Sequence, residues 1–342
     1  MKKFVVLAAL LLCRVCFGLD AGELRFSPDG KFKIVQFTDL HFNADKAESR
    51  IVLKRMKEVV EAERPDLVVI TGDLIYSFPA EKALRAVIGA VSELGVPFCT
   101  VWGNHDAQYD LSKGSMYDIV RSYEGCVMPE RGERDSPDYS LEVKASDGSG
   151  STAALLYCID SNMHLYDSGG NFTGYDFIHE DQVAWYRTRS LQYTLGNGGA
   201  PYPALAFFHI PLPEFHDAQR DESCTLIGTR MEAACAPEHN SGLFDAIKDC
   251  GDVMGVFVGH DHDNDYAVMY RDVLLSYGRF TGGNTEYNNL PNGARVIILK
   301  EGERSFDSYV VLKGGVKINP ITYPDSFRST PWRGRPLDPE CL

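Results

Sequence analysis

Five short stretches gather oxygen and imidazole donors at close spacing: Asp39-Leu40-His41, Gly72-Asp73, Gly103-Asn104-His105-Asp106, the isolated His209, and Gly259-His260-Asp261-His262. Carboxylate, amide and imidazole groups are the ligands that suit Fe, Zn, Mn or Ni. No cysteine joins the set, so a structural zinc site is a poor fit. Asp39, His41, Asp73, Asn104, His209, His260 and His262 are too many donors for one ion. They suit two, provided that one carboxylate bridges the pair.

Each stretch closes an apolar run that reads as a buried strand: 31–38, 66–73, 96–102, 204–209 and 253–260. A strand delivers a ligand at its carboxyl end, and glycine there lets the backbone turn sharply. Between the first three runs lie helical patterns at 46–63, 80–93 and 114–123, the first with Val52, Met56, Val59 and Val60 on one face. This βαβαβ rhythm predicts parallel strands joined by right-handed crossovers. YSLEVKA (139–145) and AALLYCID (153–160) flank a DGSGS turn and predict an antiparallel pair. Helices are expected at 179–193 and from about Asn240, and several antiparallel strands over 265–312. Residues 313–342 read as a Pro-rich tail packed on the surface without regular structure. No linker divides the chain, so one domain over 19–312 is expected.

The five blocks, in this order, resemble the calcineurin-like metallophosphoesterase superfamily, which includes the purple acid phosphatases. The phrases GHDHDND and YGRFTGG look most like its purple-acid-phosphatase-like, or Dcr2-like, branch. The resemblance implies an α/β fold, a two-sheet β-sandwich of mixed parallel and antiparallel strands flanked by helices. It implies that Asp39, His41 and His262 hold a first metal, that Asn104, His209 and His260 hold a second, and that Asp73 bridges both. It further implies in-line attack on phosphorus by a hydroxide bridging the ions, with His105 protonating the departing alkoxide. Phosphomonoesters are the favoured substrates, with a phosphodiesterase and a non-catalytic phosphate-binding protein as rivals. Many members place a second Asp where this chain has Tyr76. In the purple enzymes a Tyr at this spacing binds iron, but those enzymes lack the counterpart of His41. With both present, His41 is expected to bind and Tyr76 to pack nearby, and Asp106 becomes the expected partner of His105.

Bulk properties narrow the setting. The chain has 342 residues, 44% hydrophobic and 24% charged, as in ordinary globular proteins. Residues 1–18 read as a signal peptide, with Lys2 and Lys3 before the apolar run Phe4–Leu12 and Gly18 at the cleavage position. That predicts an exported protein, periplasmic or secreted. Removing them takes the formal charge from −14 to about −17, which opposes nucleic acid as a bulk partner and leaves a small phosphorylated substrate. No segment is apolar enough for a membrane span. Of the seven cysteines left, Cys224 and Cys235 are the preferred bridge in an oxidising compartment. One sequon, Asn171-Phe-Thr173, matters only if the source glycosylates.

Simpler roles are assigned elsewhere. His164, His179 and His239 read as core residues, and His216 as a loop residue that overhangs the site. Asp160 is expected to shape a turn, and Asp263 and Asp265 to fix their loop. Arg279 is read equally as a phosphate contact or a surface ion pair.

Overall fold

A computed structural model describes residues 23–133, 135–283 and 286–328. The expected signal peptide and the end of the tail lie outside these residues. The chain opens with strands β1 (Leu24–Arg25) and β2 (Lys31–Phe37), helix α1 (Ile51–Glu63), β3 (Leu67–Thr71), α2 (Ala80–Ser92), β4 (Phe98–Val101) and α3 (Lys113–Arg121). Next come β5 (Tyr139–Lys144), β6 (Thr152–Cys158), β7 (His164–Tyr166), β8 (Phe172–Tyr175), α4 (Glu180–Gly196), β9 (Ala204–Phe207) and α5 (Glu214–Arg220). The last part runs β10 (Leu226–Ile227), α6 (Leu243–Cys250), β11 (Val253–Val258), β12 (Ala267–Tyr270), β13 (Val273–Tyr277), β14 (Gly293–Lys300), β15 (Phe306–Leu312) and β16 (Lys317–Tyr323).

Two mixed sheets result, ordered β16-β15-β14-β2-β3-β4 and β1-β5-β6-β9-β11-β13-β12-β10, with β7–β8 as a separate hairpin. β2, β3 and β4 are parallel, as their helical crossovers require. Strand alternation explains the layering. Leu156, Leu205, Phe207 and Phe257 of the eight-stranded sheet join one core with Ile34, Val35, Ile70 and Phe306 of the six-stranded sheet, and with α1, α2 and α3. Phe257 and Phe306 meet across the two sheets with ring centroids 5.9 Å apart. The alternate residues Leu155, Tyr157, Ala206, Val256 and Val258 face outward into a second core against α4, α5 and α6. The expected helix-flanked sandwich of mixed sheets is the observed fold.

Three expectations are corrected. Lys317–Tyr323 is no surface tail but an edge strand, antiparallel to β15, with Ile321 and Tyr323 buried. Its apolar residues cover a sheet edge that water would otherwise reach. Within 265–312 the expected antiparallel pairs do form, β12 with β13 and β14 with β15, while β13 also runs parallel to β11. Cys224 and Cys235 stand as separate thiols. The Cys235 amide is tied to Asp261 at 3.1 Å and the Cys224 amide to the Asp221 carbonyl at 2.9 Å, so each belongs to its own turn. Arg279 is neither a phosphate contact nor a surface pair: it is buried, bonded to the Asp265 carboxylate and, at 2.7 Å, to the Pro291 carbonyl. Asp265 also accepts the Thr229 amide at 2.6 Å, and so joins three segments behind the site.

A buried carboxylate stripped of its cation is costly. Arg279→Met is therefore expected to lower unfolding stability by about 3–5 kcal/mol in urea titration. A loss below about 1 kcal/mol, the value of an exposed pair, would contradict this role.

Candidate metal centre

Strand ends from both sheets bring the donors to one place. Asp39 and His41 follow β2, Asp73 follows β3, and Asn104 and His105 follow β4; His209 follows β9, and His260 and His262 follow β11. The turns leaving the strands are strained. Asp39, His41, Asp73 and His260 have φ of 53°, 43°, 51° and 80°, the left-handed region that side chains disfavour. Such residues cost about 1–3 kcal/mol each and persist where the surroundings over-determine them, typically at functional sites. The motif glycines are needed for space. A Cβ on Gly72 (φ 85°) would lie 2.5 Å from His209 Nδ1, and one on Gly103 would lie 2.1 Å from Asp73 Oδ1.

Two tight donor groups form, Asp39-His41-His262 and Asp39-Asp73-His209, each with its ligand atoms within 4.8 Å of one another and every member buried. Asp39 is common to both groups, and Asp73 of the second also reaches the first: its Oδ2 is 3.5 Å from His41 Nε2 and 3.3 Å from His209 Nε2. Asn104 Oδ1 joins the second group, 3.1 Å from His209 Nε2. His260 stands beside this group, its ring 5.2 Å from that of His209, with a buried Nε2 that has no hydrogen-bond partner among the described residues.

The donor set fits metal ions on its own chemistry. His209 donates its Nδ1 proton to the Thr71 carbonyl at 2.7 Å, so a lone pair on Nε2 faces the oxygens of Asn104 and Asp73. His262 donates Nδ1–H to the Tyr287 carbonyl at 2.8 Å, so its Nε2 lone pair faces His41 Nε2 at 3.1 Å. Acceptors converging on acceptors, as His209 Nε2, Asn104 Oδ1 and Asp73 Oδ2 do, are stable only around a cation. Backbone donors anchor both carboxylates: His260 N–H to Asp39 at 3.1 Å, and His105 N–H to Asp73 Oδ1 at 2.9 Å.

Without a metal, a proton serves as that cation. Burial alone would lower the His209 pKa, but the Asp73 carboxylate more than reverses this and pushes it up to about 10. Asp73 is held well below the usual carboxylate range: burial opposes this, and the charges of His209, His105 and His41 outweigh it. Burial raises Asp39 and lowers His41 and His260.

His105 lies at the mouth, its ring 5.4 Å from that of His41. Its Nδ1 donates to Gln108 Oε1 at 2.8 Å, which leaves Nε2 as the nitrogen free for other chemistry. The expected partner, Asp106, does other work. It accepts the amides of Asp73, Leu74, Ile75 and Gly103 at 2.7–3.2 Å and so shapes both ligand loops. Asp106 was suited to His105 by proximity in sequence alone; the turn directs its carboxylate inward. Burial and the Asp73 charge push Asp106 up to about 7. Tyr76 packs as expected, edge-on to His105 at 4.9 Å.

His164 is not a core residue. It opens the β7–β8 hairpin and its Nε2 accepts from the Asn104 amide nitrogen at 3.1 Å, turning the amide oxygen toward the centre. Tyr175 of the same hairpin packs edge-on against His260 at 4.4 Å. Gln108 and His164 lacked a sequence signal beyond their nearness to His105 and to the end of β6. His216 bonds Gln219 on α5, His179 bonds Asp176 and His239 bonds Glu180, so none of these belongs to the donor groups and none is a core residue. Asp160 shapes its turn through the Asn162 amide and pairs with Lys113 at 2.7 Å. Asp263 holds Asn289, which fixes the loop as expected.

Two donor groups sharing a carboxylate at the strand ends of a two-sheet sandwich resemble the two-metal sites of phosphoesterases. Residues 32–264 match the calcineurin-like phosphoesterase family, and the chain belongs to it. It is 31% identical over 307 residues to "Probable inactive purple acid phosphatase 29" of Arabidopsis thaliana, across 80% of this chain and 78% of that protein. It is 29% identical over 344 residues to "Phosphatase DCR2" of Saccharomyces cerevisiae, across 87% of this chain and 56% of that protein. In fold it is similar to a dimetal phosphatase from Danio rerio, with a TM-score of 0.60 at 15% identity, covering 85% of this chain and 98% of that one.

Two outcomes follow from this geometry. At pH 8, where His41 and His260 are neutral but metal-free His209 is still protonated, metal uptake must expel the His209 proton. Below its unfolded pKa of 6.5 the His209–Asp73 pair stabilises the metal-free fold fully, and that contribution fades as pH rises through about 10. Calorimetry in buffers of differing ionisation enthalpy is expected to show release of about one proton per chain. Heats that do not depend on the buffer would contradict it. Separately, His164→Ala frees the Asn104 amide and is expected to weaken binding of the ion beside Asn104 and His209 about 10–100-fold in metal titrations. Unaltered affinity would remove His164 from that role.

Proposed function

We propose that this protein hydrolyses phosphate esters at a dinuclear centre, with phosphomonoesters favoured. The observation that carries the reading is the convergence of Asp39, Asp73, Asn104 and the imidazole nitrogens of His41, His209 and His262, with His105 beside them. Asp39, His41 and His262 would hold one ion, Asn104, His209 and His260 the other, with Asp73 between them. Iron, zinc, manganese and nickel all suit this set. When bound, the ions would polarise phosphate oxygens and make water a nucleophile near neutral pH.

The chain's own residues supply the rest. His105, aimed by Gln108, presents Nε2 at the mouth and donates its proton to the leaving oxygen. The strained turns and the Asp106 hub hold the carboxylates in place before substrate arrives, which limits reorganisation during reaction. Charge favours monoesters. Two divalent ions against two carboxylates leave a net positive centre, and the dianionic monoester neutralises it more fully than a monoanionic diester. The plant relative carries "inactive" in its name, and a non-catalytic phosphate-binding protein is the rival reading. A complete donor set with an oriented His105 supports the hydrolase. Export through residues 1–18 would place the reaction outside the cytoplasm.

With metals loaded, p-nitrophenyl phosphate should be turned over with higher kcat/KM than its bis-ester. His105→Asn should lower kcat by about 10²–10⁴-fold while metal content is retained. Equal turnover of variant and parent would take His105 out of the reaction, and no turnover by the parent would favour the binding protein.

A further inference from the structure

We propose that the β7–β8 hairpin forms a stacking subsite for a planar aromatic ring, aryl or nucleobase, carried by the ester group of the substrate. This rests on the hydrolase reading and names the class of ester that the same site would take. The hairpin is attached to the centre by its base. His164 holds Asn104 and lies 5.4 Å, edge-on, from His105, while Tyr175 packs on His260. Its outer end carries Tyr166 and Phe172, whose rings are 6.4 Å apart and each 54% exposed. Phe172 in turn lies 5.5 Å from His164 and 5.4 Å from Tyr175, so the aromatic path from His105 to the tip is unbroken.

These rings serve no core. Tyr166, Phe172 and Tyr175 belong to neither hydrophobic cluster, and leaving two large rings half in water forgoes the stabilisation their burial would give. The turn between them is built to hold its shape. Asp167 accepts the amides of Gly169 and Asn171 at 2.8 and 2.9 Å and the Asn171 side chain at 2.9 Å. A two-stranded hairpin is marginal alone, so this turn and the contacts at its base fix where the two rings stand. Open aromatic faces beside a phosphate site stack on the flat rings of aryl groups and bases. The tip is two ring contacts from His105, a span that a sugar or short linker between phosphorus and ring would fill.

The test compares adenosine 5′-monophosphate, 2-phenylethyl phosphate and glycerol 2-phosphate on the metal-loaded full chain and its Tyr166→Ala/Phe172→Ala variant. Aromatic esters should be preferred by the parent, and the variant should lose about tenfold of that preference in kcat/KM. Tyr166→Phe should keep it. A greater loss with the nucleotide assigns the site to a base; a greater loss with 2-phenylethyl phosphate assigns it to an aryl group. An unchanged preference, or equal losses on all three substrates, overturns the subsite while hydrolysis stands. Calorimetry with adenosine and phenol gives a readout independent of turnover. If no ester is hydrolysed but either ligand binds the parent and is lost in the variant, the subsite stands and the hydrolase reading falls. Binding that is absent in the parent or unaltered in the variant overturns it.

Discussion

Two carboxylates, Asp39 and Asp73, are buried together at the edge of a sandwich, with imidazole lone pairs turned toward them rather than N–H donors. Water is nearly excluded there, and like charges in such a place repel strongly. The arrangement is stable only with positive charge at its middle. Much of the surrounding structure follows from this. The strand ends converge because each supplies a donor, and the left-handed turns at Asp39, His41, Asp73 and His260 aim those donors inward. A metal-free chain meets the same need by keeping a proton on His209.

The supporting groups are as specific as the donors. Asp106 belongs to neither donor group, yet its carboxylate gathers four amides and thereby joins the Asp73 loop to the Gly103 turn. Thr71 and Tyr287 carbonyls set which nitrogen of His209 and His262 faces inward. Behind them, Arg279 and Asp265 tie the region after β13 to the loop before β12. The sandwich is a rigid frame, and the site is a property of how its loops leave it.

The layout was legible where periodicity and position agree. Strands β2, β3, β4, β9 and β11 read directly from apolar runs that end in polar residues, and every donor in the two tight groups came from those ends. What escaped were groups whose role depends on distant partners. His164 looked like any half-buried histidine, because nothing local signals that Asn104, sixty residues earlier, lies against it. Asp106 was misread because adjacency to His105 in the chain says nothing of where a tight turn points a side chain. The edge strand β16 is not evident in the sequence because Pro320 and the prolines beyond the strand suggest a tail; Pro is tolerated on an edge, where no partner needs its amide. The cysteines 224 and 235 were close in sequence, yet each is anchored to a different turn.

The central claim is a pair of ions astride Asp73, and anomalous diffraction from metal-loaded crystals tests it most directly. Two peaks about 3.5–4 Å apart, one beside His41 and His262 and one beside Asn104 and His209, are expected. A single peak, or none after loading with iron, zinc and manganese in turn, would contradict the account.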